Sequence, residues 1–253
     1  MNVILEAKDI VKTYGYEDNK IYATNHIDLQ IEEGSFVAIV GRSGSGKSTM
    51  ATLLIGQKRP TSGRILINGV DLTQLKTEAL YEHVSLVSAH SHIFKGSIKE
   101  NLLMAKRDAT SEEVNQALKM ARLDQFIAGL PKGLETEVSE NGSSLSGGQK
   151  QRLALARVIL ANRDVIIFDE ATSNIDVESE EAIWDAIYEL SQQKTILVIS
   201  HRLASVKRAK AIHVFKLGTL VESGTHDHLM SQNGVYAHMV ESQQQLEMIR
   251  EVE

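Results

Sequence analysis

The sequence predicts an α/β fold in three parts: a strand-and-helix core, an antiparallel β subdomain, and an inserted α-helical subdomain. Three observations predict it. Short apolar runs at 36–40, 84–87, 165–168 and 195–199 read as strands buried in a sheet. Residues 3–14 and 26–40 break apolar runs with polar residues, as antiparallel strands with one wet face do. Between about 89 and 161 the pattern turns mainly helical. The expected division is one unit over 1–253, with a core of 1–88 and 162–253 and a helical subdomain of about 89–161.

Composition narrows the class. The chain has 253 residues, 42% of them hydrophobic, and a net charge of −6. That is enough for a buried core, and the mild acidity argues against a general nucleic-acid binder. There are no cysteines, so there is neither a disulfide framework nor a thiolate metal site. The opening MNVILEAKDI lacks the basic region and apolar length of a leader. No apolar run approaches the ~18 residues of a membrane span, so the chain by itself is expected to be soluble.

In chain order, VILEAKDIVKTY and HIDLQIEEGSFVAIV are expected to pair and to close on the strand beginning at Phe36. GYEDNK between them is a turn or loop. Tyr14, at a strand end, can stack on a purine base or be a half-buried strand tyrosine, and the pattern does not choose. Phe36–Val40 then runs into Gly41, Arg42, Ser43, Gly44, Ser45, Gly46, Lys47 and Ser48, which fill G-x-x-x-x-G-K-S. A strand, a glycine-rich turn and a helix start are the context this phosphate-binding loop needs. Glycines let backbone N–H groups face a phosphate chain, and the helix from Lys47 to about Ile55 adds its positive end. Lys47 brings a charge to the β and γ phosphates, and the Ser48 hydroxyl suits Mg²⁺.

RILI and Asn68-Gly69 read as a strand entering a turn, 77–83 as a helix and VSLV as a buried strand. His83, His90 and His92 cluster in sequence, but no carboxylate or cysteine completes a metal site, so a polar loop is the plainer reading. Thr110 to Glu113 offers a capping box, and LDQFIAGL a short helix stopped by Pro131.

LSGGQ (145–149) precedes a strong helix pattern, with Ser146 as N-cap. Gly147, Gly148 and Gln149 follow it, so this helix start is a second anion site by the same physics. VIIF then ends in Asp169-Glu170, at the strand end where α/β proteins bind ligands. Asp169 can hold Mg²⁺, and Glu170 can polarise an attacking water. Trp184 reads as core. TILVIS ends in His201, placed to hydrogen-bond a γ phosphate or the water. AIHVF and TLVESG read as a hairpin, and about 226–247 as closing helices.

Together these residues resemble the nucleotide-binding domain of ABC transporters. GRSGSGKST, reaching Thr49, looks like the Walker A loop, LSGGQ like the family signature and VIIFDE like the Walker B strand. SNID (173–176) resembles the D-loop, Ser200-His201 the switch histidine and Tyr14 the base-stacking aromatic. PTSGRILING, GSIKENL and TEVSENG look more like exporter-type domains than importer subunits. The resemblance implies a P-loop NTPase core, ATP and Mg²⁺, and a head-to-tail dimer. In that dimer Ser146, Gly147 and Gly148 of one chain cap ATP on its partner. It also implies a membrane-spanning part, in the same polypeptide or a separate subunit, at the cytoplasmic face of a bacterial plasma membrane. One departure stands out. Where exporters carry glutamine after the VSLV-like strand, this chain has Ala89, followed by His90.

The leading expectation is a transport-coupled ATPase motor, with Glu170 and His201 catalytic. A slow-hydrolysing, nucleotide-gated clamp is the alternative, and Ala89 is its support. A chromosome-type ATPase would need a coiled-coil insertion and a basic groove, and neither is in the sequence.

Overall fold

Strand β3, Phe36–Gly41, is buried along its whole length. Its residues serve two cores in alternation, because successive side chains point to opposite faces. Phe36, Ala38 and Val40 pack into one cluster, Val37 and Ile39 into the other. Strands β9 (Val165–Asp169) and β10 (Thr195–Ile199) split the same way, Phe168 and Val198 against Ile167 and Leu197. The continuous apolar runs of the sequence are therefore two interleaved faces.

The computed structural model describes residues 2–15, 19–89, 91–173 and 175–250, the side chains of 249 and 250 excepted. The first sheet takes β1 (Val3–Tyr14), β2 (Ile21–Glu32), β4 (Ser62–Ile67) and β5 (Val70–Asp71), in the order β2-β1-β4-β5 and all antiparallel. The central sheet runs β12-β11-β3-β10-β9-β6, with β6 at Val84–Ser88, β11 at Ala211–Lys216 and β12 at Thr219–Gly224. It is parallel except for the β11–β12 hairpin. Helix α1 (Lys47–Leu54) buries Met50, Leu53 and Leu54 between the two sheets.

Two expectations about the first sheet need correction. The antiparallel strands do not close on the Phe36 strand, since β3 pairs with β10 and β11 in the other sheet. Alternation reveals a wet face but not a partner. Strand β2 also begins at Ile21 rather than near His26. Asp9 and His26 adopt φ of 51° and 52° and meet as a side-chain pair, interrupting both strands with an irregular register. That interruption breaks the period that marks a strand.

Helix α2 spans Thr77–His83. Beyond β6 come α3 (Ile98–Leu103), α4 (Ser111–Met120), α5 (Asp124–Ala128) and α6 (Gly147–Ala161), with a two-stranded ladder of β7 (Gly96–Ser97) and β8 (Glu137–Val138). The α4 capping box is present, with the Glu113 N–H donating to Thr110 Oγ1 at 3.2 Å. Helix α7 (Val177–Leu190) buries Trp184, and α8 (His226–Ser231) and α9 (Val235–Arg250) close the chain. His83 pairs with Asp164 at 2.9 Å and His92 lies edge-on to Phe94, whereas His90 is outside the described residues.

His213 on β11 is buried; its Nδ1 meets Ser223 Oγ at 2.9 Å, and among the described residues its Nε2 has no partner. Burial pushes its pKa down from 6.5 to about 4. The folded pKa lies below the unfolded one, so stability present above the unfolded pKa is lost as pH falls towards the folded one. At about 1.4 kcal/mol per unit the loss is on the order of 3 kcal/mol. We predict that His213→Asn, which keeps a partner for Ser223, flattens the fall in urea-unfolding stability between pH 7 and 4. An identical acid loss in both chains refutes it.

Candidate functional site

The loop after β3 is built on two glycines. Gly41 has φ 156°, and a Cβ there would strike the Phe215 carbonyl oxygen. Gly46, the N-cap of α1, is left-handed at φ 100°, and a Cβ there would strike the Ala23 carbonyl oxygen. Only glycine fits such a turn without moving the backbone. The loop is also tied down. The Gly218 N–H donates to the Ser45 carbonyl at 3.0 Å, and the Asn25 N–H to the Gly218 carbonyl at 2.7 Å. Arg42, Ser43 and Gly44 are left exposed at its crest. Helix α1 has no side-chain cap and no acidic residue in its first turn, so its start suits an anion.

Lys47 is only 5% exposed. Its Nζ donates to the carbonyls of Gly41 at 2.8 Å and Arg42 at 3.0 Å. Burial lowers its pKa, while Glu170 and Asp169 pull it back up. The Ser48 hydroxyl donates to Asp169 Oδ1 at 3.1 Å. Burial raises the Asp169 pKa and Glu170 adds to this, against the Ser48 hydrogen bond and Lys47. Two hard oxygen donors side by side, one on a carboxylate that gains from a nearby cation, fit Mg²⁺.

Glu170 leaves the strand conformation altogether. Its φ is 52°, and its N–H donates to the Ile199 carbonyl at 2.9 Å. A non-glycine residue held there costs about 1–2 kcal/mol, and such strain concentrates at functional sites. His201, just past β10, brings Nδ1 to 3.8 Å from Glu170 Oε1. So Lys47, Ser48, Asp169, Glu170 and His201 gather at the ends of three neighbouring strands. Tyr14 is 38% exposed, so part of its ring is open to solvent. Lys58 Nζ donates to its hydroxyl at 2.9 Å. That bond first, with Thr49 and Lys12 assisting, holds the phenol below its usual pKa. Tyr14 thus stands beside the start of α1.

The signature residues stand apart from this cluster. Among the described residues no hydrogen bond joins 146–149 to 41–49. Ser146 caps α6 through a reciprocal capping box with Gln149. The Gln149 N–H donates to Ser146 Oγ at 3.2 Å, and the Ser146 N–H to Gln149 Oε1 at 2.9 Å. This leaves the N–H groups of Gly147 and Gly148 without partners among the described residues. Gly148 is closed in by α7, where a Cβ would collide with Ser179. Gly147 instead shares a cavity of about 390 Å³ with Ala89, Gln151 and Ser173. Ala89 offers only a methyl group there, while its N–H donates to the Asp169 carbonyl at 3.2 Å. Of the 173–176 segment, Asn174 is outside the described residues, and Asp176 caps α7 through the Ser179 N–H.

Sequence reading missed three contacts. Gln151 on α6 donates to the Ser88 carbonyl at 2.7 Å, tying the end of β6 to the signature helix. Arg202 pairs with the buried Glu180 of α7. Gln243 on α9 accepts from the Leu203 N–H at 2.8 Å and donates to the His201 carbonyl at 3.1 Å. None carries a local signal, since each pairs residues at least 22 positions apart.

Residues 24–173 match the family model described as ABC transporter. An uncharacterized ABC transporter ATP-binding protein of Haemophilus influenzae is 47% identical over 251 residues, 99% of this chain and 44% of that protein. A putative multidrug export ATP-binding/permease protein of Staphylococcus aureus is 44% identical over 227 residues, 90% of this chain and 39% of that protein. A bacterial Atm1-family ABC exporter, solved with ATP bound, superposes with a TM-score of 0.88 at 36% identity. It covers 94% of this chain and 41% of the exporter chain. The chain therefore spans less than half the length of these relatives. A family match covering more than half the chain, on a fold that brings Lys47, Ser48, Asp169 and Glu170 together, makes it a member of the ABC transporter family, with the fold of an exporter's ATP-binding domain.

Proposed function

We propose that this chain is a Mg²⁺-dependent ATPase that drives transport across a membrane. The observation that carries the reading is the approach of Glu170 and His201, 3.8 Å apart, beside the Ser48–Asp169 pair. The chain divides into a core of 1–88 and 162–253 and a helical subdomain of about 89–161. Residues 41–49 hold the triphosphate, with Lys47 Nζ leaving the Gly41 and Arg42 carbonyls for β and γ oxygens. Tyr14 stacks on the base. Ser48 and Asp169 would hold Mg²⁺, which would neutralise charge on the phosphate oxygens. Glu170 accepts a proton as water attacks the γ phosphorus and the bond to the β-phosphate oxygen breaks. ADP and phosphate leave, and His201 steadies the γ oxygens and the water.

The second half of the site is Ser146, Gly147, Gly148 and Gln149 of another copy, or of a related chain, docked head to tail. The relatives' greater length and the name ATP-binding/permease support a membrane-spanning partner at the cytoplasmic face of a bacterial membrane. Among the described residues, no helix of this chain is long and apolar enough to cross a membrane. The second reading, a slow clamp, rests on Ala89.

Glu170→Gln should leave ATP binding nearly intact and lower turnover by ~10²–10⁴-fold, the usual contribution of a general base. ATP binding and steady-state hydrolysis measured on one preparation decide it, and a parent rate removes Glu170 from the chemistry.

Lys47→Ala should weaken ATP binding. Gly147→Asp should spare it but block ATP-driven dimerisation of the Glu170→Gln chain, because a carboxylate would face the γ phosphate. Sedimentation with ATP tests both. Dimers that persist in Gly147→Asp take the signature out of the interface.

Ala89→Gln should raise turnover, since the amide reaches into the cavity beside Ser173 and Gly147 and can orient a water. A raised rate favours a motor short of one polar group. An unchanged rate means position 89 does not limit hydrolysis, and the clamp reading loses its support.

A further inference from the structure

The loop that carries His201 is held from three directions. Within the loop, the Arg202 N–H donates to Ser200 Oγ at 2.9 Å. From α7, the buried Glu180 carboxylate takes the Arg202 guanidinium. From α9, the Gln243 amide spans the loop, accepting from the Leu203 N–H and donating to the His201 carbonyl. Leu203 itself is 2% exposed and fixes the far end of the loop in the core. The His201 side chain, by contrast, is 52% exposed and its charged neighbour is Glu170, 3.8 Å away. Its ring position is therefore set through its backbone, and the Gln243 bond is the contact to its carbonyl.

The surroundings of Gln243 make the contact specific. From 241 to 248 the exposed face of α9 is broken only at 243, which is half-buried. A solvated helix turn gains nothing by turning one glutamine inward unless that amide is satisfied on both sides. Both sides are satisfied here, one by a donor and one by an acceptor two residues apart. Side-chain amides suit this task because a single planar group supplies an acceptor and a donor in fixed relation.

We infer that Gln243 is a positioning residue for hydrolysis, holding the His201 backbone so that the imidazole stays beside Glu170. The inference rests on the reading that His201 acts at the γ phosphate. It adds to that reading a link from the C-terminal helix to the chemical step. Movement of α9 would shift His201 directly, without passing through the phosphate loop.

The test uses steady-state ATPase kinetics of the parent, Gln243→Met, His201→Ala and the double variant, with thermal unfolding of each. Methionine keeps the length and packing of glutamine and loses both hydrogen bonds. We expect Gln243→Met to lower kcat about ten-fold with KM for ATP changed less than two-fold, since misplacing a catalytic group by ~1 Å can cost up to ~10²-fold. The double variant should be no slower than His201→Ala alone, because groups acting through one another are not additive. Three results overturn the inference. A parent kcat in Gln243→Met, with His201→Ala impaired, sinks the positioning role alone. A double variant slower by the product of the two losses means that Gln243 acts elsewhere. A parent rate in His201→Ala sinks the reading of His201, and the positioning role with it. If Gln243→Met unfolds early, a kcat loss that persists well below its Tm still counts for the inference, and one that vanishes there counts against it.

Discussion

A strand buried on both faces inside a parallel sheet can meet solvent only at its ends, and the proposed chemistry of this chain follows from that constraint. Strands β3, β10 and β9 are consecutive neighbours, parallel and in register. Their C-terminal ends therefore lie side by side, and whatever follows each strand is delivered to one place. Lys47 and Ser48 follow β3, Glu170 follows β9 and His201 follows β10. The strand pairings alone assemble them, with no further contact between their side chains required. The apolar alternation that fills two cores also aligns the strand ends.

The same burial makes the assembled charges uncomfortable. Burial lowers the Lys47 pKa and raises that of Asp169, each towards its neutral form. Within the chain the Lys47 ammonium turns back to two backbone carbonyls, and Asp169 takes a hydroxyl. Ionised groups in such a place gain from partners of opposite charge. Phosphate oxygens beside Lys47 and a cation beside Asp169 would supply both. The site is stable without a ligand but built to be better satisfied with one, as positions that break local rules at functional sites tend to be.

Much of this was legible because the relevant residues are contiguous. The glycines at 41 and 46, the cap at Ser146 and the acidic end of β9 each announce themselves within a few residues. The fold class was readable for the same reason, since periods of two and of 3.6 are local. Pairing is not local, so the sequence could not show that β2 and β3 belong to different sheets. Nor could it show the left-handed turn at Glu170, where glutamate has no local reason to adopt φ 52°. Gln151, Glu180 and Gln243 were invisible for a third reason. Each is an ordinary helix residue until a group from another segment arrives to meet it, a backbone group for Gln151 and Gln243 and the Arg202 guanidinium for Glu180.

The two glycine-bearing helix starts are not equivalent, and under the proposed function the difference sets an order of events. Helix α1 begins at a glycine with no side-chain cap. Helix α6 begins with a complete capping box, Ser146 and Gln149 satisfying each other's N–H groups. An uncapped start leaves donors whose best partner is a ligand, whereas a capped start needs none to be stable. A nucleotide therefore gains most at α1, where Lys47 and the open N–H groups wait together. Helix α6 retains the N–H of Gly147, which faces the cavity, for a later contact while its own fold is already secure. In a head-to-tail dimer this makes binding on the loop of one chain the first step and closure by the signature of the other the second. In that proposed dimer α6 loses no cap when the phosphate leaves, which suits separation of the chains after hydrolysis.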